Sequence, residues 1–385
     1  MNSNQNYYIG IKYSINKGDI ISMKAGVTKE FIIGAMIKDV SIKAAIFDLI
    51  DNSVEAAIIN GGVRGHIISI ITTNDEFKIF DDCGGFEPDK IKDIFNIGYR
   101  SGSSGFGIGM KRAIIKLGNK ANINSFNANK SFNIYFDINK CKNAELDLSV
   151  NEIKKEPKSS FGLEISILQL NSEAQKYFKR GQCNELGQAI ARRYRNFISN
   201  GLTIKLNGDK ITKYKIKEEV DKISPIYKIN KNVEVQIKLY SKISSTEESG
   251  WDVFINNKCV CERERSNEIQ WNRIKKQSGY SYKRFVGEVF ITGINVRELP
   301  VTSTKDRIDF ESDIMREVIK YMYRFLSMNK DLYKKNDVTI RFDKDIDEVE
   351  FLKEYFDVAT ATDTGKRSFE KVYGEAKKRK NTNGN

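Results

Sequence analysis

A cluster of glycines in the first third of the chain constrains the fold more than any other feature. The segment GYRSGSSGFGIGMKRAI, residues 98–114, contains five glycines and then runs into an apolar and basic stretch. Glycines let main-chain N–H groups approach a ligand closely, and the N-terminus of a following helix adds free donors and a positive dipole end. We therefore expect a ligand-binding loop that leads into a helix over 108–117 and ends at Gly118. A mobile surface loop is the alternative.

The spacing of these glycines differs from that of two common phosphate-binding motifs. A Walker-type loop needs Gly-Lys-Ser/Thr, but Met110 separates Gly109 from Lys111 and no hydroxyl residue follows. A dinucleotide-binding fingerprint needs G-x-G-x-x-G after a strand, whereas this segment reads G-x-x-G-x-G-x-G. The ligand of the predicted loop therefore has to be inferred from other residues.

The composition allows two domains and favours anionic partners. A chain of 385 residues has room for two ordinary domains. Its net charge of +13 favours nucleic acid, nucleotides or acidic proteins, although its abundance of Lys, Ile and Asn can also reflect the base composition of a genome. We find no apolar run as long as a membrane span and no signal-peptide pattern, so we expect a cytoplasmic protein with no membrane contact.

The cysteines and the histidine exclude several kinds of site. Five scattered cysteines argue against a disulfide framework, and the pair Cys259 and Cys261 has no second pair of ligands for a metal. With His66 as the single histidine, phosphotransfer to histidine and histidine metal clusters are excluded. We expect His66, at the start of an apolar strand, to be structural.

Hydrophobic periodicity divides the chain into two mixed regions and a tail. In the first region we expect a helix over 40–60, a hairpin of HIISIITT and EFKIF, a helix over 88–97, and strands near 121–127, 131–138 and 161–168. In the second we expect a long helix over 173–199, an Asn-Gly hairpin over 201–211, strands over 233–240, 251–256 and 285–293, and a helix over 313–327. We therefore place domains at 1–172 and 173–345, followed by a polar, basic, mobile tail over 346–385.

One face of the 40–60 helix carries Asp48, Asp51, Asn52 and Glu55, at positions i, i+3, i+4 and i+7. Such a row is typical of a solvated helix face. The asparagine permits a second interpretation, because it is a poor helix former that can serve as a neutral oxygen ligand for Mg²⁺. A carboxylate one turn earlier can activate water beside the same metal.

A second polar group ends the predicted hairpin. The sequence IFDDCGGF places Asp81 at the end of a strand, followed by Gly84 and Gly85. The glycines allow the backbone to lie flat against a ligand beside this carboxylate. Turn chemistry alone also explains such Asp-Gly combinations.

The order of these three motifs resembles that of the GHKL ATPase superfamily: gyrase B subunits, MutL, the ninety-kilodalton heat-shock chaperone, MORC proteins and histidine-kinase catalytic domains. DLIDNSVEA (48–56) resembles the box E-x-x-x-N-x-x-D-A, DDCGGF (81–86) resembles D-x-G-x-G-I, and SGFGIGMKRA (104–113) resembles the glycine-rich lid and its helix. The resemblance implies an α+β fold, in which a two-layer α/β sandwich of the GHKL (Bergerat) ATP-binding type precedes a mixed α/β transducer-like domain.

The resemblance also implies ligands and roles. By it, Asp48 is the general base, Asn52 the Mg²⁺ ligand, and Asp81 the carboxylate that binds the adenine amino group. The implied ATP contacts continue through the second box and the lid: Gly85, Gly105, Phe106, Gly107, Ile108, Gly109, Met110 and Lys111. ATP and Mg²⁺ are therefore the expected ligands.

Three departures from the family pattern bear on activity. Asp48 is one methylene shorter than the usual glutamate, so we expect slow turnover. Cys83 replaces the first glycine of the second box. Leu163, in FGLEISI, stands where a threonine would help to hold adenine.

Two later segments resemble the gyrase, MutL and MORC branch. ELPVTSTKDRIDF (298–310) resembles its transducer switch segment, in which a lysine reaches the terminal phosphate, and Lys305 is the matching catalytic residue. Taken alone, a lysine in such a polar turn is more often a plain surface lysine. GWDVFINNKCV (250–260) resembles a strand motif of MORC-like ATPases, in which we expect Trp251 to be a packing residue.

The resemblance implies an ATP-driven clamp that closes or forms a homodimer when ATP binds, and that acts in DNA transactions or in antiviral defence against foreign DNA. The alternative is an ATP-sensing adaptor with negligible turnover that holds DNA or a partner protein, such as an effector. Under either interpretation DNA would bind to the basic surface. The candidate DNA contacts are Arg192, Arg193, Arg195 and the tail residues 377–380.

Overall fold

The first helix, α1 (Ile42–Ile59), begins after Ser41, whose hydroxyl accepts a hydrogen bond from the N–H of Ala44 at 3.1 Å. Such a cap contributes about 1 kcal/mol to helix stability. The helix is followed by Gly61, which has a φ of +108° that glycine adopts without strain. The helix predicted from the sequence is therefore confirmed.

The structure is a computed structural model, which describes residues 34–35, 37–87, 91, 109–127, 130–140, 148–153, 161–179, 183–216, 219–241, 248–271, 274–276, 285–302, 307–329, 332 and 338–340. After α1, the first unit contains β1 (Ile67–Thr72), β2 (Glu76–Asp81), α2 (Gly109–Leu117), β3 (Gly118–Phe126), β4 (Ser131–Asp137), β5 (Leu148–Ile153), β6 (Gly162–Leu170), α3 (Ser172–Lys179), α4 (Cys183–Arg193), α5 (Arg195–Ser199), β7 (Thr203–Leu206) and β8 (Asp209–Lys210). The second unit contains β9 (Lys222–Ile223), β10 (Tyr227–Lys228), β11 (Val233–Ser241), β12 (Gly250–Ile255), β13 (Lys258–Glu264), β14 (Ile274–Lys276), β15 (Phe285–Gly293), α6 (Asp313–Met328) and β16 (Val338–Ile340).

The first sheet has the spatial order β5-β4-β3-β6-β2-β1-β7-β8. Its neighbours are antiparallel except β1 and β7, which run parallel with Ile68 opposite Ile204. The predicted hairpin of β1 and β2 and the strands β3, β4 and β6 are confirmed, whereas β5 was not predicted. The predicted helix over 88–97 lies outside the described residues, apart from residue 91.

The core of the first unit extends beyond the predicted domain boundary. Its buried apolar residues run from Val40 to Ile211 and include α1, α2, the sheet strands and helices α3 to α5. The hairpin of β7 and β8, turned by Asn207 and Gly208 with positive φ, is confirmed as a hairpin. It joins the first sheet rather than the second, so a boundary at residue 172 would divide one apolar core.

The single long helix predicted over 173–199 is wrong, because three shorter helices, α3, α4 and α5, occupy this segment. The break between α4 and α5 falls at Tyr194, which is fully buried. Its hydroxyl donates to Oδ1 of Asp51 at 2.7 Å, a contact with α1 that fixes the turn.

The second sheet has the order β10-β11-β15-β12-β13, with β12 and β15 parallel. Its apolar core packs against α6. Trp251 is fully buried, with its ring 5.1 Å from that of Phe285, and Gly287 leaves room for it because a Cβ there would overlap the indole. Trp251 is therefore a packing residue, as predicted, and the α+β architecture is confirmed.

The sequence predicts no membrane contact and no disulfide framework. None of the helices described is long and apolar enough to cross a membrane. The four cysteines in the described part of the chain, Cys83, Cys183, Cys259 and Cys261, are free thiols.

Candidate functional site

The acidic face of α1 is buried rather than solvated. Asp48 forms a bidentate ion pair with Arg112 of α2, from Nε to Oδ2 at 2.5 Å and from Nη2 to Oδ1 at 2.9 Å. The two side chains are 11% and 5% exposed. The interpretation of this row as a solvated face is therefore wrong for Asp48.

The environment of Asp48 changes its acidity. Burial raises the pKa of Asp48 to about 6, against the hydrogen bond and positive charge of Arg112. Asp51 raises this pKa further, and Lys258 lowers it. A carboxyl group with a pKa near 6 is ionised at neutral pH and basic enough to accept a proton from water.

The second acidic group lies at the end of β2 and faces the same helix. Oδ2 of Asp81 accepts a hydrogen bond from the hydroxyl of Ser53 at 2.6 Å, and Oδ1 accepts one from the N–H of Cys83 at 2.9 Å. Burial raises the pKa of Asp81 to about 6, and these hydrogen bonds oppose the rise. Asp82 points elsewhere, since its Oδ1 accepts from the N–H of Ile67 at 2.7 Å. Of the two adjacent aspartates, Asp81 is the one that faces α1.

The glycines after Asp81 hold the backbone against its neighbours. A Cβ on Gly85 would lie 2.5 Å from the carbonyl oxygen of Phe126, which is closer than real Cβ atoms approach. The next N–H, of Phe86, donates to Oγ of Ser125 at 2.7 Å. Gly85 is therefore required by close packing against the end of β3.

The strand beside Asp81 carries Leu163 where the family pattern has threonine. Leu163 lies opposite Asp81 in the register of β2 and β6 and is buried. A Cβ on the preceding Gly162 would overlap the carbonyl oxygen of Asp81, so glycine is needed for the two strands to approach. Leu163 therefore offers an apolar wall, with no hydroxyl, next to the carboxylate.

The start of α2 lies against Asp48. A Cβ on Gly109 would lie 3.7 Å from Cγ of Asp48, so the first turn of the helix contacts the carboxyl group. Met110 is half-buried, and Lys111 is buried. Burial lowers the pKa of Lys111 to about 8. An anion beside this lysine would stabilise its charged form.

Five of the predicted site residues belong to segments that the structure does not describe. Gly105, Phe106, Gly107 and Ile108 of the lid lie outside the described residues. Lys305 also lies outside them, although Val301 and Ile308 on either side form an antiparallel bridge.

Asn52 is half-buried on α1, between Asp51 and Ser53, whose side chains bind different parts of the protein. Ser53 binds Asp81 in the first sheet, and Asp51 binds the second unit. The structure therefore brings the surroundings of Asn52, Asp81 and the first turn of α2 together around one helix.

The role of Asp51 was not predicted from the sequence. It accepts hydrogen bonds from Nζ of Lys258 at 2.6 Å, from Nη2 of Arg193 at 3.4 Å and from Tyr194. Burial alone would raise the pKa of Asp51, but the positive charges of Lys258 and Arg193 outweigh burial and hold it at about 2. Asp51 is therefore the ionic contact through which α1 is attached to β13. Its partners are distant in sequence, and no local pattern identifies them.

The expectation that Arg192, Arg193 and Arg195 contact DNA is wrong. Arg193 and Arg195 are buried, and all three bind carboxylates of the same chain. These ion pairs are Arg192 with Glu248 at 2.5 Å, Arg193 with Asp51 at 3.4 Å, and Arg195 with Asp252 at 2.7 Å and Glu288 at 2.5 Å. The three arginines therefore join α4 and α5 to α1 and to the second unit.

Comparison with known proteins finds a similarity for most of the first unit. Residues 40–167 match a family model described as histidine kinase-, DNA gyrase B-, and HSP90-like ATPase. A search of the curated proteins gives no match. The matched span contains the helix with Asp48 and Asn52, the strand with Asp81 and the helix after the glycine-rich segment. The match therefore supports a GHKL-type ATPase domain over residues 40–167.

Proposed function

We propose that this protein binds ATP with Mg²⁺ between α1 and α2 and hydrolyses it, using the energy to switch between two conformations. One observation supports this most directly: Asp48 contacts the first turn of α2, and Ser53 on the same helix binds Asp81. Residues from three motifs that are far apart in sequence are thereby in contact with the helix that carries Asn52.

In the proposed complex each end of the nucleotide meets a different part of the site. Asp81 accepts a hydrogen bond from the amino group of adenine, beside the apolar wall of Leu163. The phosphates lie at the N-terminus of α2, where the positive end of the helix dipole and the ammonium group of the buried residue Lys111 meet negative charge. The lid glycines Gly105, Gly107 and Gly109, with Phe106 and Ile108, close over the phosphates.

Asn52 suits Mg²⁺ because it offers a neutral amide oxygen on the face of α1 that also carries Asp48. Mg²⁺ held there would neutralise part of the phosphate charge. Asp48 accepts a proton from water as the water oxygen bonds to the terminal phosphorus. The bond from that phosphorus to the bridging oxygen breaks, and the electron pair leaves on ADP.

We further propose that hydrolysis is slow, and that closure on ATP brings Lys305 to the terminal phosphate and two copies of the chain together. DNA or an effector protein is the proposed partner of the closed state, in DNA transactions or defence against foreign DNA. With the three arginines used internally, the remaining candidates for DNA contacts are the exposed lysines and the tail residues 377–380, which lie outside the described residues.

A second candidate function is an ATP-sensing adaptor with negligible turnover. The bidentate ion pair favours it, because both oxygens of Asp48 already accept hydrogen bonds from Arg112. The two functions differ in phosphate release. A release rate that Asp48→Ala leaves unchanged supports the adaptor.

Asn52→Ala tests the proposed site. We expect Mg²⁺-dependent ATP binding, measured by titration calorimetry, to be lost because the variant has no oxygen ligand at this position. Asn133→Ala is the matched control, since Asn133 is a half-buried amide of the first sheet, in the same unit as Asn52, and bonds to Asn122 and Asn124 instead. Unchanged affinity in Asn52→Ala contradicts the assignment.

A further inference from the structure

The ion pair of Asp48 with Arg112 restricts the position and rotation of the carboxylate more than the pairing of two buried charges requires. The planar guanidinium donates through Nε and Nη2 to both carboxylate oxygens, at 2.5 Å and 2.9 Å. A bidentate pair of this kind fixes the position of the carboxylate and also its rotation. Lysine, with a single charged nitrogen, cannot do this.

Stability alone is a weak reason for such a pair. Removing two charges from water costs several kcal/mol each, and apolar residues of similar volume often replace buried ion pairs without loss. The neighbouring pair on the same helix differs, because Lys116 binds Glu173, whose side chain is 59% exposed. Of these two cations of α2, Arg112 is the one that meets an enclosed carboxylate.

The charge of Asp48 depends on the groups that face it. These are Arg112 from α2, Asp51 from α1 itself and Lys258 from β13. With all of them present, burial still raises the pKa of Asp48 to about 6. An adjacent arginine lowers the pKa of an aspartate by about one to three units. Without Arg112 this carboxyl group would be largely protonated at neutral pH.

We propose that Arg112 is a positioning residue for ATP hydrolysis, which keeps the Asp48 carboxylate ionised and fixed beside the first turn of α2. This proposal rests on the proposed function, in which Asp48 accepts the proton of the attacking water. Each carboxylate oxygen has two lone pairs, and on each oxygen one lone pair accepts a hydrogen bond from the guanidinium. A lone pair is therefore left on each oxygen to accept that proton.

Two variants and two measurements test the proposal. Arg112→Met removes the charge and the fork, whereas Arg112→Lys keeps a charge without the bidentate geometry. The first measurement is the titration of the Asp48 carboxyl carbon by NMR in the nucleotide-free protein. The second is the pH dependence of kcat/KM for phosphate release, with the dissociation constant of ATP measured by calorimetry.

For Arg112→Met we expect the Asp48 titration and the acid limb of kcat/KM to move to higher pH by about one to three units. At pH 6.5 kcat/KM should fall about threefold for a shift of one unit and about two-hundredfold for a shift of three, while ATP affinity at pH 8 changes by less than about threefold. Arg112→Lys should give a smaller shift together with a reduced kcat, because the charge is kept and the orientation is lost. If Arg112→Met does not fold, Arg112→Lys tests the proposal by itself.

Lys116→Met is the matched control, since it removes a buried cation from the same helix and leaves Asp48 paired. It should leave both profiles unchanged. Unshifted profiles in both Arg112 variants overturn the proposal, and so does faster turnover, which would mean that the pair withholds the base. Failure of the proposed function gives different results. In that case Asn52→Ala binds ATP normally, or the wild-type protein releases no phosphate. Either result also rules out a role of Arg112 in hydrolysis.

Discussion

Asp48 and Asp81 are both buried carboxyl groups, but they bind different partners. Burial raises the pKa of each from an ordinary value of 3.8 to about 6. Because the folded-state pKa lies above the unfolded value, ionising these groups lowers the free energy of unfolding as pH rises from 3.8 to about 6. The site therefore keeps two carboxylates charged at neutral pH at a cost in stability, as is common for functional groups.

Asp81→Asn tests adenine recognition. We expect ATP affinity to fall about tenfold to a hundredfold, because a hydrogen bond to a charged acceptor contributes about 1.5–3 kcal/mol. The amide can donate to the O6 atom of guanine, so the preference for ATP over GTP should shrink. Calorimetry with both nucleotides measures this.

The pH dependence gives a second check on Asp81. In the wild-type protein ATP binding should weaken as pH falls through about 6, where Asp81 becomes protonated. Burial and, after it, the charge of Asp82 raise the pKa of Asp81, so the control Asp82→Asn should keep ATP affinity at neutral pH and move this pH dependence to lower pH, since the Asp82 side chain bonds to Ile67 instead. Wild-type affinity and selectivity in Asp81→Asn would rule out this carboxylate as the adenine acceptor.

Among the elements, α1 connects the two units of the molecule. One of its residues, Ser53, binds the end of β2, and another, Asp51, binds Lys258 of β13. Asn52 lies between them, so the residue proposed to hold Mg²⁺ is adjacent to an ionic contact with the second unit. A change at the nucleotide therefore has a short path to the second sheet, through one peptide bond and one ion pair.

The strength of this contact can be measured with a double-mutant cycle of Asp51→Asn and Lys258→Met. Because both groups are largely buried, we expect a coupling energy of about 1–3 kcal/mol in the free energy of unfolding by urea. The control is the exposed pair of Glu317 and Lys320 on α6, at 2.6 Å, for which we expect less than about 1 kcal/mol. Equal coupling in the two cycles would show that Asp51 and Lys258 do not join the units energetically.

Elements and contacts differ in how well the sequence predicts them. The helix α1, the hairpin of β1 and β2 and the turn at Asn207 follow from local periodicity, caps and turn residues, so they could be predicted. The partners of the acidic residues could not, because Arg112 is 64 residues from Asp48 and Lys258 is 207 residues from Asp51. The break at Tyr194 was missed for the same reason, since a contact with α1 sets it.

At the scale of the whole molecule, two apolar cores meet at a polar junction. The junction contains the ion pairs of three arginines and of Asp51. Beside it lies a cavity of about 660 Å³, lined by residues of α1, such as Val54 and Ile58, and of the second sheet, such as Ile255. The proposed clamp requires the units to change their relative angle, and this cavity lies where such a change would alter the contacts between them.

Lys305→Ala tests the clamp. We expect ATP affinity to change by less than about threefold, while dimerisation induced by a non-hydrolysable ATP analogue is lost, because the lysine contributes to the closed state only. Small-angle scattering and sedimentation measure the change. Lys228→Ala, an exposed lysine of β10, is the control. If Lys305→Ala and the wild type give identical profiles with and without the analogue, Lys305 has no part in closure.

The parallel pairing of β1 with β7 has a consequence for synthesis in the cell. A ribosome releases β1 long before β7, and until β7 arrives one edge of β1 keeps its main-chain N–H and C=O groups unpaired. Such an edge can capture a strand of another nascent chain. The period of greatest exposure to aggregation therefore lasts until Thr203–Leu206 has left the exit tunnel and docked.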